Sequence, residues 1–219
     1  MNGLSLDYLR DNPGYVLQLT WDHLQLSLLA ILLGIVVAVP LGVAGARYPG
    51  LGLPIIGILG AVYTIPSIAF LAFLIPILGL GRDNALVVLA AYSLSFLVRN
   101  IITGLRGVDA GVIEAARGMG LSPIQVFRQV TFPLALPVMV AGLRTAVVVT
   151  ISTATVAGWI GAGGLGRLLF DGVRLRRPGM ILAGAIAITL LAVLVDLGIR
   201  WLARYLAANR AARAAVQSS

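Results

Sequence analysis

Five long apolar runs, separated by short polar breaks, set the pattern of this chain. The first extends from His23 to Ala46, interrupted only by small residues and Pro40. At about 1.5 Å of rise per residue it is long enough for a hydrocarbon core of about 30 Å. Arg47-Tyr48-Pro49-Gly50 forms a turn, and Leu51 to Leu80 then carries no charge at all. That run would make about 45 Å of helix, more than one straight crossing needs. Pro66 and Pro76 therefore predict a kinked second span, the alternative being two short spans split near Pro66, which raises the count to six and reverses the N-terminus. After a turn at Gly81-Arg82-Asp83-Asn84, Ala85–Leu105 reads as the third span, with Arg99 near enough to one end to snorkel. Phe132–Ala157 is the fourth, with Pro133 and Pro137 at its start, and Pro178–Tyr205 is the fifth. The expected fold is all-α and polytopic, about five transmembrane helices, with a lead-in at 1–22, a membrane domain at 23–205 and a tail at 206–219 that is disordered after Asn209. Residues 1–22 lack the basic-then-apolar order of a cleavable signal, and an amphipathic lead-in is the expectation.

One polar island, 106–130, interrupts the apolar pattern with its own local order. Asp109 is placed to cap a short helix from Ala110 to Met119, and Gly120 supplies a left-handed stop. Ser122-Pro123-Ile124-Gln125 then reads as a capping box, with Leu121 and Val126 at staple positions, so a second helix starts at once. Small residues at 115, 116, 118 and 120 keep one side of the first helix narrow, while Val112, Ile113, Ala116 and Met119 give it an apolar stripe. Such a hairpin either enters a cleft on a partner or lies on the membrane surface as a connector.

Composition narrows the class. Hydrophobic residues make up 59% of the 219 residues, charged residues 11%, and mean hydropathy is +1.01, the balance of an integral membrane protein. No cysteine is present, which excludes disulfides and thiolate chemistry. All sixteen basic residues are arginine. Without lysine there is no G-x-x-x-x-G-K-[ST] phosphate loop, so ATP-driven work needs a nucleotide site on another chain. The net charge of +8 is scattered over loops and span ends and not interleaved with aromatics, which argues for membrane orientation and against nucleic acid. His23, the single histidine, stands at the edge of the first run with no second ligand at useful spacing, so it is read as interfacial and no metal site is assigned.

Inside the runs, three polar features are candidates for function. Tyr63-Thr64-Ile65-Pro66-Ser67 notches the second run; it either lines a pathway or holds hydroxyls that bond back to helix carbonyls. Arg144 and Asp196 are the two ionisable residues well inside the fourth and fifth spans, where each would cost about 2.5–3.5 kcal/mol unpaired at the centre. They are able to pair with each other, or Asp196 with Arg200 one turn away. Gly158-Trp159-Ile160-Gly161-Ala162-Gly163-Gly164-Leu165-Gly166 formally contains G-x-G-x-x-G at Gly161, Gly163 and Gly166. No strand precedes it and no acidic residue follows at the required distance, so a dinucleotide role is rejected in favour of a flexible or re-entrant segment, followed by a basic loop from Arg167 to Arg177.

Glu114-Ala115-Ala116, Gly120 and Val130-Thr131-Phe132-Pro133 resemble the EAA motif of ATP-binding-cassette importer permeases, with Val130 and Phe132 in place of the usual Ile and Leu. The Gly161–Gly166 stretch, with Gly163 and Gly164 at its centre, is similar to a glycine segment of the osmoprotectant and methionine branches. The resemblance covers roughly residues 20 to 205 and lies nearest the glycine betaine, carnitine and choline permeases. It implies a cytoplasmic hairpin that docks on an ATPase through Glu114, Ala115, Ala116, Gly120 and Pro133, and a gate or pathway near Tyr63, Pro66, Gly161, Gly163, Gly164 and Gly166. It further implies a second permease copy or sister permease, two ATPase subunits carrying ATP and magnesium, and an extracytoplasmic substrate-binding protein, all at the cell (inner) membrane. No cofactor is then expected in this chain, nor any enzymatic activity of its own. In that orientation nine arginines fall inside and six outside, a weak positive-inside bias whose main offender is the 167–177 stretch. A small secondary transporter or channel working without ATP is the alternative, although no inverted repeat supports it; a membrane scaffold is a third.

Overall fold

Proline stands in the first two positions of half of the described α-helices, and glycine closes several. The computed structural model describes residues 7–217, with side-chain surroundings through residue 205. After a short α1 (Asp7–Asp11), Pro13 starts α2 (Pro13–Arg47) in the first turn, where its missing N–H is no loss. The expected lead-in is therefore corrected from residue 13 onward, since Pro13–Asp22 belongs to the first membrane helix. Polar side chains there are satisfied along the helix, as Thr20 Oγ1 donates to the Val16 carbonyl at 2.8 Å. Residues 1–6 of the lead-in lie outside the described residues.

The second apolar run is broken, not merely kinked. Helices α3 (Pro49–Thr64) and α4 (Ser67–Leu78) meet at 93° across Ile65 and Pro66. Pro66 removes a donor and holds Ile65 extended, so the helix ends there. Pro76, by contrast, sits inside α4 without ending it, and Gly79 at φ +74° does the stopping. Neither arm is long enough to cross alone. Among the described residues four other helices are long and apolar enough to do so, and the bent pair makes a fifth when counted as one broken span.

Helix α5 (Arg82–Arg106) occupies the middle of the bundle, packed between α2 and α8 (Phe132–Ala157). Its contacts are close because facing positions are glycine: a Cβ at Gly34 would enter Ser93, and one at Gly142 would enter Asn100. Val88, Leu89 and Tyr92 pack against Leu26, Ala30, Ala154 and Ala157 on one stretch, and Val98, Ile101 and Ile102 against Ile31 and Ala38 on the next.

The polar island forms α6 (Ala110–Gly118) and α7 (Pro123–Val126). A π-helical turn over Phe127–Thr131 then joins α7 to α8 without a break, so the span begins at Pro123 rather than Phe132 and runs to Ile160, 38 residues. The expected basic loop after the glycine segment is instead a helix, α9 (Leu165–Arg174), because Leu165, Leu168 and Gly172 supply a buried stripe that packs on α10 (Pro178–Gln217). Helix α10 does not stop at Tyr205. Its backbone stays helical to Gln217, where an alanine- and arginine-rich sequence favours helix over the expected disorder after Asn209. The last two residues of the tail lie outside the described residues.

Candidate functional site

Four polar places stand out in an otherwise apolar bundle: one at each end, one at the break in the second run and one between α8 and α10. At one end, the hairpin is capped as its sequence dictates. Asp109 Oδ1 accepts from the N–H groups of Gly111 at 2.7 Å and Val112 at 3.3 Å. Gly120, at φ +85°, lets its own N–H reach the Arg117 carbonyl and the Leu121 N–H reach the Ala116 carbonyl, the double bond pattern of a Schellman stop. Ser122 and Gln125 complete the reciprocal box, at 2.8 Å for Ser122 N–H to Gln125 Oε1 and 3.4 Å for Gln125 N–H to Ser122 Oγ. Ala116 and Val126 are the buried side chains of the two short helices, which leaves Glu114, Ala115 and Gly120 exposed and Pro133 half-buried at the foot of α8. Of the expected apolar stripe, Ala116 is buried and Ile113 partly so, while Val112 and Met119 are exposed and have no cover within this chain.

At the break between α3 and α4 and along the two arms beside it, backbone carbonyls at membrane depth receive side-chain donors. Helix α5 supplies them. Tyr92 donates its hydroxyl to the Ile65 carbonyl, Ser95 Oγ donates to Leu59 at 2.6 Å, and Asn84 Nδ2 donates to Leu71 at 3.0 Å and Gly79 at 2.9 Å. Tyr63 sits edge-on to Tyr92 and Phe96, with ring centroids 5.4 Å and 5.0 Å apart, and Pro66 is exposed beside it. Thr64 Oγ1 bonds back to the Ala61 carbonyl at 2.7 Å, as the back-bonding reading of the notch expected for that hydroxyl. Sequence reasoning missed this set of donors. Residues 84, 92 and 95 do fall on one face of a helix, and a polar stripe within a span was the available signal.

At the end of the bundle away from the hairpin, α8 passes through a tight turn at Gly158–Ile160 into the glycine segment. Gly161, Gly163 and Gly164 all hold positive φ, at +78°, +84° and +68°, and Gly166 lies so close to α8 that a Cβ would strike the Thr155 carbonyl. His23 is tucked beneath this segment. It is fully buried, its Nε2 lies 2.9 Å from the Ile151 carbonyl, and a Cβ on Gly164 would sit 2.9 Å from its Nδ1. The interfacial reading of His23 is thus corrected: α2 begins ten residues earlier than the apolar run, which carries the imidazole into the bundle.

Arg144 and Asp196 meet between α8 and α10. Arg144 Nε donates to Asp196 Oδ1 at 2.8 Å and Arg144 Nη2 to Oδ2 at 3.3 Å, while Arg200 Nε donates to Oδ2 at 2.8 Å, so the two pairings that the spacing left open coexist on one carboxylate. By helical rise the cluster lies about 24–27 Å along each helix from Ile160 and Pro178, the ends opposite the hairpin, and so within the spans and not at either end of them. Trp201 and Tyr205 stack one turn further on, at 5.6 Å, as a pair suited to a membrane boundary. A further clamp, not foreseen from the sequence, lies nearer the hairpin, since Gly104 of α5 faces Ala135 and Met139 of α8. Arg106 Nη2 donates to the carbonyls of Gly45 at 2.6 Å and Tyr48 at 3.2 Å, and Nε to Ala46 at 3.3 Å, capping the end of α2 from α5. Among the described residues no group of three or more His, Cys, Asp or Glu side chains is placed to hold a metal ion.

Residues 30–210 match the family of binding-protein-dependent transport system inner membrane components. The chain is 44% identical over 191 residues to the choline transport system permease protein OpuBB of Bacillus subtilis, covering 87% of this chain and 88% of that one. It is 42% identical over 197 residues to the osmoprotectant import permease protein OsmW of Salmonella typhimurium, with 88% and 92% covered. In shape it superposes on the MetNI methionine ABC transporter in an inward-facing form, with a TM-score of 0.79, 24% identity and coverage of 89% and 98%, a likeness that establishes the fold.

Proposed function

This chain belongs to the family of binding-protein-dependent transport system inner membrane components, and on that premise we propose that it moves a small compatible solute such as glycine betaine, carnitine, choline or proline into the cell. It is the membrane-spanning permease subunit of an ATP-driven importer. The substrate class rests on relatives named for choline, for glycine betaine, carnitine and choline together, and for osmoprotectants. The observation that carries the coupling role is the exposed hairpin, capped at both turns and continuous with a membrane helix. In this reading Glu114, Ala115, Ala116 and Gly120 form the face that docks on an ATPase subunit, and Pro133 anchors the base of that face. ATP and magnesium are held by two such subunits, and a second permease, identical or sister, completes the pathway. An extracytoplasmic binding protein delivers the solute. ATP-driven closure of the ATPases moves the hairpin, and α8 conveys that motion to the glycine segment and to the Tyr63–Pro66 break, in alternating access.

Reconstitution tests the proposal. The chain purified with its co-expressed partners is expected to retain an ATPase subunit, and proteoliposomes containing the complex and the binding protein are expected to accumulate glycine betaine or choline only with ATP inside the face that carries the hairpin. Uptake by the lone chain without ATP would overturn the coupling role, and ATP-driven uptake of an unrelated solute would overturn the substrate class.

A further inference from the structure

Beside the glycine segment, at the end of the bundle opposite the hairpin, α9 and the last turn of α8 enclose a cavity of about 500 Å³. Its walls combine three chemistries in one place. Trp159 and Phe170 present aromatic surface, Arg167 and Arg174 present guanidinium groups, and Asp171 presents a carboxylate, with Gly163 giving backbone access on the remaining side. Trp159 is half-exposed, so its ring is available. Arg167 Nε lies 3.5 Å from Asp171 Oδ2 as a solvent-facing pair one turn apart, a weak kind that is readily exchanged for another partner. Among the described residues Arg174 makes no ion pair.

We propose that this cavity is a receiving site for a zwitterion, taking a quaternary ammonium against the Trp159 and Phe170 rings and the ligand's carboxylate at Arg174 and Arg167. The size falls within the range of small-ligand sites. A trialkylammonium cannot donate hydrogen bonds, so an electron-rich ring face is its natural surface, and tryptophan is the strongest of these. A carboxylate matches the planar fork of arginine. Both ligand ends must be accommodated at once, and the ammonium also benefits from Asp171 once Arg167 swings to the carboxylate. The open mouth implies weak binding, about millimolar, which suits a site that must pass its ligand on. This inference rests on the substrate class proposed above, and it makes a distinction that class does not: glycine betaine and carnitine carry the carboxylate, choline does not.

The test uses the full chain in nanodiscs with Trp21→Phe and Trp201→Phe, leaving Trp159 as the sole indole. Glycine betaine and choline are titrated separately against its fluorescence. Both are expected to give a saturable change. Arg174→Gln is expected to weaken glycine betaine about tenfold, the loss of one charge-assisted contact, while leaving choline within about twofold, and Arg174→Lys to restore part of the loss. No saturable change with either ligand, or equal weakening of both by Arg174→Gln, would overturn the site. Arg174 is exposed at the end of α9, so the substitution leaves the packed bundle intact. ATP-driven uptake measured on the complete importer separates the two readings. Quaternary-ammonium uptake without a Trp159 response removes this site alone, whereas a Trp159 response without such uptake removes the transport assignment and leaves the site standing.

Discussion

Asp196 accepts from two arginines, one across a helix interface and one on its own helix, so removing either partner leaves a different remainder. Arg144→Ala keeps the local pair with Arg200 and is expected to cost about 1 kcal/mol of stability. Asp196→Ala removes both pairings at once and leaves two guanidinium groups without their shared carboxylate, so it is expected to lower the unfolding temperature more than Arg144→Ala does. The simple charge swap, Arg144→Asp with Asp196→Arg, sets the new arginine beside Arg200. Recovery is therefore expected only when Arg200→Asp is added, and thermal unfolding of the single, double and triple variants in detergent reads the coupling. Strictly additive losses would mean that the three side chains do not act together. Gly164 makes a second prediction at this scale. Alanine there has to adopt φ +68° and meet His23, so Gly164→Ala is expected to lose about 2 kcal/mol or more, against less than 1 kcal/mol for the same change at Gly57, which has open space around it.

Among the elements, the hairpin was the most legible from sequence because every signal for it is local: Asp109, Gly120, Ser122 and Gln125 each act on backbone groups within a few residues. The break at Pro66 was legible for the same reason, but its 93° angle was not. That angle is held by Asn84, Tyr92 and Ser95, which lie some 5 to 36 residues away from the carbonyls they bind. Helix α9 was misread as a loop because its arginines were weighed above the spacing of Leu165, Leu168 and Gly172. His23 was misplaced by taking the start of the apolar run for the start of the helix. For the hairpin, Gly120→Val forces a β-branched residue into the left-handed turn and is expected to cost about 1–2 kcal/mol locally, while Gly118→Val, with no neighbour within 4 Å of its Cβ and an ordinary helical backbone, is expected to cost less than 1 kcal/mol. Glu114→Lys reverses an exposed charge without touching the fold. Gly120→Val and Glu114→Lys are expected to insert normally yet to lose most ATP-coupled uptake; wild-type uptake with either would remove the docking role.

Across the whole molecule, the hairpin and the glycine segment lie at opposite ends of the bundle, and the cysteine-free sequence makes their sidedness open to direct measurement. Single cysteines at Ser122 and Asp171 are expected to react with a membrane-impermeant thiol reagent from opposite faces, position 171 in intact cells and position 122 only after lysis. The reverse result would invert the orientation. The uninterrupted helix from Pro123 to Ile160 has a further consequence. It is about 57 Å of near-rigid shaft whose two ends share one rotational phase, set by residue count. The π-helical turn at Phe127–Thr131 holds one residue more than an α-helical turn would, so it absorbs that residue without turning the hairpin end against the glycine-segment end. Deleting Gln129 is expected to close the turn as ordinary α-helix and leave uptake near wild type, whereas inserting one alanine after Gln129 would turn one end against the other by about 100° and is expected to give a complex that assembles and hydrolyses ATP without moving solute.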